Sequence, residues 1–109
     1  MFGLTEQKLE KWGKKGKAVQ LVKASSNSNS KLRLAAVKAM GNVDNENVIN
    51  ALIIMLRDRN PEVRIASIDS LGKINSKVAV EYIRSLISDT DEKVSQKARE
   101  ALKTFAKQL

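Results

Sequence analysis

The sequence predicts an all-helical protein, an α-solenoid (α-α superhelix) of stacked helical hairpins, from an internal period, the helix punctuation that recurs with it, and the composition. Displaced by 31 positions, "NSNSKLRLAAVKAMGNV" (27–43) falls on "DRNPEVRIASIDSLGKI" (58–74), which falls on "DTDEKVSQKAREALKTF" (89–105). Leu32, Val63 and Val94 coincide, as do Met40, Leu71 and Leu102, and then Val43, Ile74 and Phe105. Arg33 matches Arg64 and Gly41 matches Gly72, and "NENVINALIIMLRD" (45–58) meets "SKVAVEYIRSLISD" (76–89) at the same displacement. A period of about 31 residues holds two helices, and such a pair cannot bury its apolar side unless neighbours stack.

The composition agrees and removes whole classes of chemistry. With aromatics at 4%, a single proline and much Ala, Leu, Ile, Val and Lys, the 109 residues read as one helical domain with a modest core. Cys and His are both absent. Disulfides, zinc sites built on Cys or His, thiol nucleophiles and imidazole bases are thereby excluded, and no cofactor is expected. A chain without Cys fits a reducing cytoplasm. The longest apolar run, "ALIIML" (51–56), falls far short of the roughly 20 residues of a membrane span. "MFGLTEQKLE" has no basic region leading into an apolar core, so no signal peptide and no membrane association are expected.

Residues 1–28 form a degenerate first unit. Leu4 and Leu9 are placed as a hydrophobic staple around a Thr5 N-cap, predicting a short helix from about 6 to 12. Gly13 is expected to end that helix and Gly16 to cap the next. "WGKKGK" (12–17) then contains a shortened turn within the unit, since it lacks the GxxxxGK[ST] spacing of a phosphate loop and no strand precedes it. The first regular repeat is 29–59. Asn29 caps its first helix, whose apolar face is Leu32, Ala36, Ala39, Met40 and Val43, and Gly41 is expected to close it in a left-handed conformation. Asn45 caps the second helix, with Ile49, Leu52, Ile53 and Leu56 inward and Asn47, Asn50, Ala51 and Ile54 outward.

The second repeat, 60–90, copies this plan. Asn60 caps and Pro61 takes the first helical position. Val63, Ser67, Ser70, Leu71 and Ile74 repeat the inner face, Gly72 repeats Gly41, and Ser76 caps the second helix. Small residues at 36, 39, 67, 70, 98 and 101 would let helices approach closely. In the last unit, 91–109, Asp91 caps one long helix whose apolar stripe is Val94, Ala98, Ala101, Leu102 and Phe105. Leu34, Ala35 and Val37 of one repeat, and Ile65, Ala66 and Ile68 of the next, become Gln96, Lys97 and Arg99. Lys103 replaces the glycine, so the helix is expected to run through Phe105 toward Leu109 as a polar terminal cap, with a natural chain end there and a monomer.

"DRNPEVRIASIDSLGKI" resembles the HEAT-like repeats common in bacterial and archaeal proteins, including those of phycobilin lyase subunits. The resemblance covers about residues 17 to 109 and rests on Asp, Pro, Val-Arg, Ala-rich positions and Leu-Gly. It implies a ladder in which the Asp ending one unit meets the Arg opening the next, so that Asp58 would pair with Arg64. A surface pair of this kind would contribute about 0.2–1 kcal/mol. Elsewhere the ladder positions differ, with Asn27 before Arg33 and Asp89 before Ser95.

The resemblance also implies that the second helices line a concave face that grips partners. Gln20 and Lys23, Asn47, Asn50 and Ile54, and Glu81, Tyr82 and Ser85 are the candidate partner-binding residues, with Val78 beside them. Ile54 next to Tyr82, rimmed by polar groups, has the makeup of a small contact patch. Catalysis finds no support: the acids sit at capping and ladder positions, and no His can activate a serine. Charge suggests a second function. Through Lys38 the chain has nine Lys and Arg against two acids, and beyond it eleven against ten. Lys8, Lys11, Lys14, Lys15 and Lys17 form a basic end suited to nucleic acid, though without interleaved aromatics. "SSNSNS" (25–30) looks like a linker, yet the register puts it at an inter-repeat turn. The sequence thus predicts a non-enzymatic protein-interaction module in the cytoplasm. Nucleic-acid binding and an accessory lyase-type subunit are the alternatives.

Overall fold

A computed structural model describes residues 3–108. Seven α-helices follow one another among the described residues: α1 (Glu6–Lys14), α2 (Ala18–Ala24), α3 (Ser30–Met40), α4 (Glu46–Met55), α5 (Pro61–Ile74), α6 (Val80–Arg84) and α7 (Glu92–Ala106). Short 3-10 turns at Lys77–Ala79 and Ser85–Ser88 flank α6.

The polar residues placed before each apolar run start the helices. Thr5 Oγ1 accepts from Lys8 N, Asn29 Oδ1 from Lys31 and Leu32 N, Asn60 Oδ1 from Glu62 N, and Asp91 Oδ1 from Lys93 and Val94 N. Asn45 does the same for α4. Each such cap typically contributes about 1 kcal/mol. Ser76 precedes the 3-10 turn, but its side chain makes no cap bond. The segment after it, "KVAVEYIRSLIS", has four β-branched residues, as many as the aligned segment that forms α4, so these do not set it apart. Ser85 Oγ donates to the Tyr82 carbonyl, competing with the helical ladder. The expected second helix of that repeat is therefore a five-residue helix between two 3-10 turns.

The helices form two layers. In one, α1 packs on α3, α3 on α5 and α5 on α7; in the other, α2, α4 and α6 each wedge against the first-layer helix that follows. Leu9, Leu21, Met40, Leu52, Ile68, Leu71 and Ile83 are fully buried between the layers. Burying each such side chain contributes about 1.5–3 kcal/mol. The buried face of α4 is Val48, Ala51 and Leu52, continued by Leu56, while Ile49 and Ile53 are half-buried. Ala51, expected outside, is inside. Because α4 touches both α2 and α5, its covered arc is wider than one stripe and is turned toward Val48.

The glycines depart from expectation in an instructive way. Gly13 lies inside α1 and is buried; Gly16, at φ 67, is the left-handed residue that closes it. Lys17 N–H reaches Trp12 O at 2.9 Å and Gly16 N–H reaches Gly13 O at 3.2 Å, a Schellman closure. α5 runs past Gly72 and ends the same way at Asn75, φ 63, with Ser76 N–H on Leu71 O and Asn75 N–H on Gly72 O. Asn tolerates this conformation through its short polar side chain. Gly41 keeps a right-handed conformation. What Gly13 and Gly41 supply is close approach: a Cβ on Gly13 would lie 2.8 Å from Ala39 O, and one on Gly41 would lie 2.8 Å from Ser70 Oγ. A Cβ on Gly72 would meet nothing within 4 Å. There α5 and α7 diverge, leaving a cleft of about 230 Å³ that reaches Ala101 and Phe105.

On α7, Val94, Ala98 and Phe105 are buried against the preceding helices, whereas Ala101 and Leu102 are half-exposed. Leu109 lies outside the described residues.

Candidate functional site

An arginine–aspartate ladder organises one edge of the molecule. Arg33 and Asp58 form a bidentate pair, Nε to Oδ1 at 2.9 Å and Nη2 to Oδ2 at 3.1 Å, with both side chains over nine-tenths buried. Arg64 reaches Asp89 through a single hydrogen bond, Nη2 to Oδ1 at 3.0 Å. Its Nε sits 3.0 Å from Oδ2 but off the hydrogen-bonding direction, and it has no acceptor among the described residues. The expected pairing of Asp58 with Arg64 is corrected: Arg64 Nη1 donates to the Asp58 backbone carbonyl at 2.7 Å, and the Asp58 carboxylate belongs to Arg33. Asp58 Oδ2 also accepts from Asn60 N, which turns the carboxylate back toward Arg33. Arg33 Nη1 holds the Asn27 and Ser28 carbonyls. Each guanidinium thus joins the turn before its own helix to the next turn of the array. At the third position Ser95 replaces Arg and donates to Ile87 O.

Beside this edge lies an open groove of about 600 Å³. Its walls are the turn 25–28, the end of α4 and the following turn (53–59), and Tyr82, Ser85 and Leu86 across from them. Ile54 and Tyr82 project into it with 66% and 49% of their surface exposed. Among the described residues Val19 and Val78 are the other large exposed apolar ones, and all four belong to the α2–α4–α6 layer or its 3-10 turn. Two cations not foreseen from the sequence, Arg57 and Arg59, line the same groove; neither makes an ion pair among the described residues. Their signal was the "RDR" run at 57–59, in which only the central Asp belongs to the ladder.

The candidate partner-binding residues divide by position. All eight are exposed on the second layer, but only Ile54, Tyr82 and Ser85 line the groove. Gln20, Lys23, Asn47, Asn50 and Glu81 lie outside it, Glu81 in an exposed pair with Arg84 at 3.4 Å. At the other end of the molecule Lys8, Lys11, Lys14, Lys15 and Lys17 are all exposed. Lys8, Lys11, Lys15 and Lys17 surround a shallow hollow of about 360 Å³ with Trp12, while Lys14 turns to Glu10 at 3.5 Å. Lys8 Nζ stands 5.4 Å from the centre of the Trp12 ring, an attractive cation–π placement.

Two stacked layers of short antiparallel helices, tied by a ladder of turns, define a helical-repeat protein. A family model described as HEAT repeats matches residues 18–103. The chain belongs to the HEAT-repeat family, whose members are commonly protein-interaction scaffolds and generally not catalysts. The match is to these repeats in general and does not single out lyase subunits. No curated protein matches the sequence. Among the described residues no helix is long and apolar enough to cross a membrane.

Proposed function

We propose that this protein is a non-enzymatic interaction module whose α2–α4–α6 face holds a partner protein. One observation carries the reading: every large exposed apolar side chain among the described residues lies on that face, and two of them share a groove. Exposed apolar residues are ordinary when scattered, but gathered on one layer and rimmed by polar groups they have the character of an interface. Ile54 and Tyr82 are its expected centre, and Gln20, Lys23, Asn47, Asn50, Glu81 and Ser85 its rim. The test compares the wild type with Ile54→Glu/Tyr82→Glu as bait in quantitative affinity capture. Specific partners should be lost from the variant; equal recovery sinks this reading.

The hollow of four lysines around Trp12 favours a second reading, nucleic-acid binding at the N-terminal end. Such binding must weaken steeply with salt as counterions are released. Lys8 already covers the Trp12 ring, which leaves less of it for stacking on a base. Anisotropy titrations with single- and double-stranded DNA and RNA should give no affinity tighter than about micromolar at physiological salt. Tight binding removed by Lys-to-Glu changes at 8, 11, 15 and 17 would put this reading first.

A further inference from the structure

We propose that the groove takes an extended acidic segment of a partner protein, seating an aliphatic or aromatic side chain between Ile54 and Tyr82 and carboxylates on Arg57 and Arg59. This rests on the α2–α4–α6 face being the protein-binding face and adds the chemistry of what binds there.

The groove's polar inventory points one way. Ser25 Oγ donates to Val22 O, Ser26 Oγ to Lys23 O and Ser85 Oγ to Tyr82 O, so these hydroxyl protons are already taken within the protein. Asp58, the one acid of the groove, is neutralised by Arg33 and capped by Asn60 N–H. The serine oxygens keep only acceptor lone pairs, so the free charge of the groove, and its strongest free donors, are those of Arg57 and Arg59. Arg57 and Arg59 are exposed and, among the described residues, pair with no acid. A guanidinium offers five N–H groups in a fork that matches a carboxylate.

Spacing narrows the segment further. Arg57 N–H bonds the Ile54 carbonyl at 3.0 Å, so the two residues stand one turn apart, roughly 5–6 Å between Cβ atoms. An extended chain advances about 3.3 Å per residue. A carboxylate meeting Arg57 therefore sits one to three residues from the side chain anchored at Ile54. A phosphodiester strand fits less well: Tyr82 is the one aromatic in the groove, whereas single strands are held by stacking on successive rings.

The probe is a display library of random twelve-residue peptides, selected on the purified full chain and on three variants: Arg57→Gln/Arg59→Gln, Arg57→Glu/Arg59→Glu, and Ile54→Glu/Tyr82→Glu. Circular dichroism melts establish that each variant is folded, and the glutamine variant serves if charge reversal beside Asp58 unfolds the chain. The wild type should enrich peptides with Asp or Glu within three positions of an aliphatic or aromatic residue. A synthetic peptide of that type should bind the glutamine variant at least about tenfold more weakly, since a charge-assisted contact is open to loss at each arginine. Enrichment of apolar residues without acids, undiminished in the arginine variants but lost with Ile54→Glu/Tyr82→Glu, overturns the acidic segment and leaves the binding face standing. No enrichment on the wild type, or enrichment indifferent to all three variants, overturns both. An oligonucleotide that binds through Arg57 and Arg59 more tightly than the acidic peptide overturns the proposal in favour of nucleic acid.

Discussion

The two layers of this molecule are made from one repeated sequence, yet they are built to different standards. The layer α1–α3–α5–α7 starts all four helices with a side-chain cap and exposes no large apolar residue. The layer α2–α4–α6 has a side-chain cap only at Asn45, contains the 3-10 turns, and carries Val19, Ile54, Val78 and Tyr82 at its surface. Local helix signals and burial agree in the first layer and diverge in the second. Such divergence is expected where a surface serves something beyond folding. A fully capped layer and a sparsely capped layer with apolar side chains at its surface have separated within a single repeat.

The strongest way to break this comparison is at the ladder, which supports both layers. Asp58→Ala leaves the Arg33 guanidinium buried without its partner, and should cost about 3–5 kcal/mol. At 4–8 °C per kcal/mol for a domain near this size, the melting temperature should fall by more than about 10 °C. Asp89→Ala should cost less, because Arg64 is more exposed than Arg33 and its Nε already lacks an acceptor. Equal losses in thermal melts would mean that burial does not rank the two pairs.

Next come the glycines. Gly13→Ala drives a methyl against the Ala39 carbonyl and should destabilise by about 1–3 kcal/mol through overcrowding. A melt unchanged by this substitution would show that α1 can move off α3 at little cost. Gly72→Ala meets open space within a helix and should stabilise by about 0.4–1 kcal/mol. Loss of stability there would mean that the cleft beside α7 closes in solution. The smallest stability effect belongs to the α2–α4–α6 layer: Ile54→Glu/Tyr82→Glu should shift stability by no more than about 0.5 kcal/mol per substitution. A large drop in a denaturant titration would mean that those side chains support the fold.

Much of this was legible in the sequence. The 31-residue displacement yields the solenoid, and Asn29, Asn45, Asn60 and Asp91 mark helix starts, because capping depends on residues a few positions apart. Gly41 and Gly72 occupy one register, yet one is crowded by Ser70 and the other faces a cleft. That difference is set by the spacing of neighbouring helices, which no local pattern records. The ladder pairing escapes the sequence for a related reason. Asp58 lies near Arg64 along the chain, but the Asn60 amide turns its carboxylate toward Arg33, 25 residues back. Of the candidate site, the exposure of Ile54 followed from helical phase, whereas Tyr82 holds the register of the buried Ala51 and is exposed for reasons that phase does not record. The groove between them required knowing how the turn 25–28 stands against 57–59.

The ladder has a mechanical consequence. Arg33 and Arg64 fasten the turns near 27, 58 and 89 to one another along a single edge. Along the opposite edge, where α3 turns into α4 and α5 into α6, Lys73 donates an exposed hydrogen bond to Asn42 and Gly41 packs closely on Ser70, without a buried ion pair among the described residues. A stack sewn along one side would bend as a book does about its spine, its leaves fanning where packing alone joins them while the bound margin keeps its spacing. The groove formed by 25–28 and 57–59 lies against the spine, so changes in curvature would leave its width nearly constant.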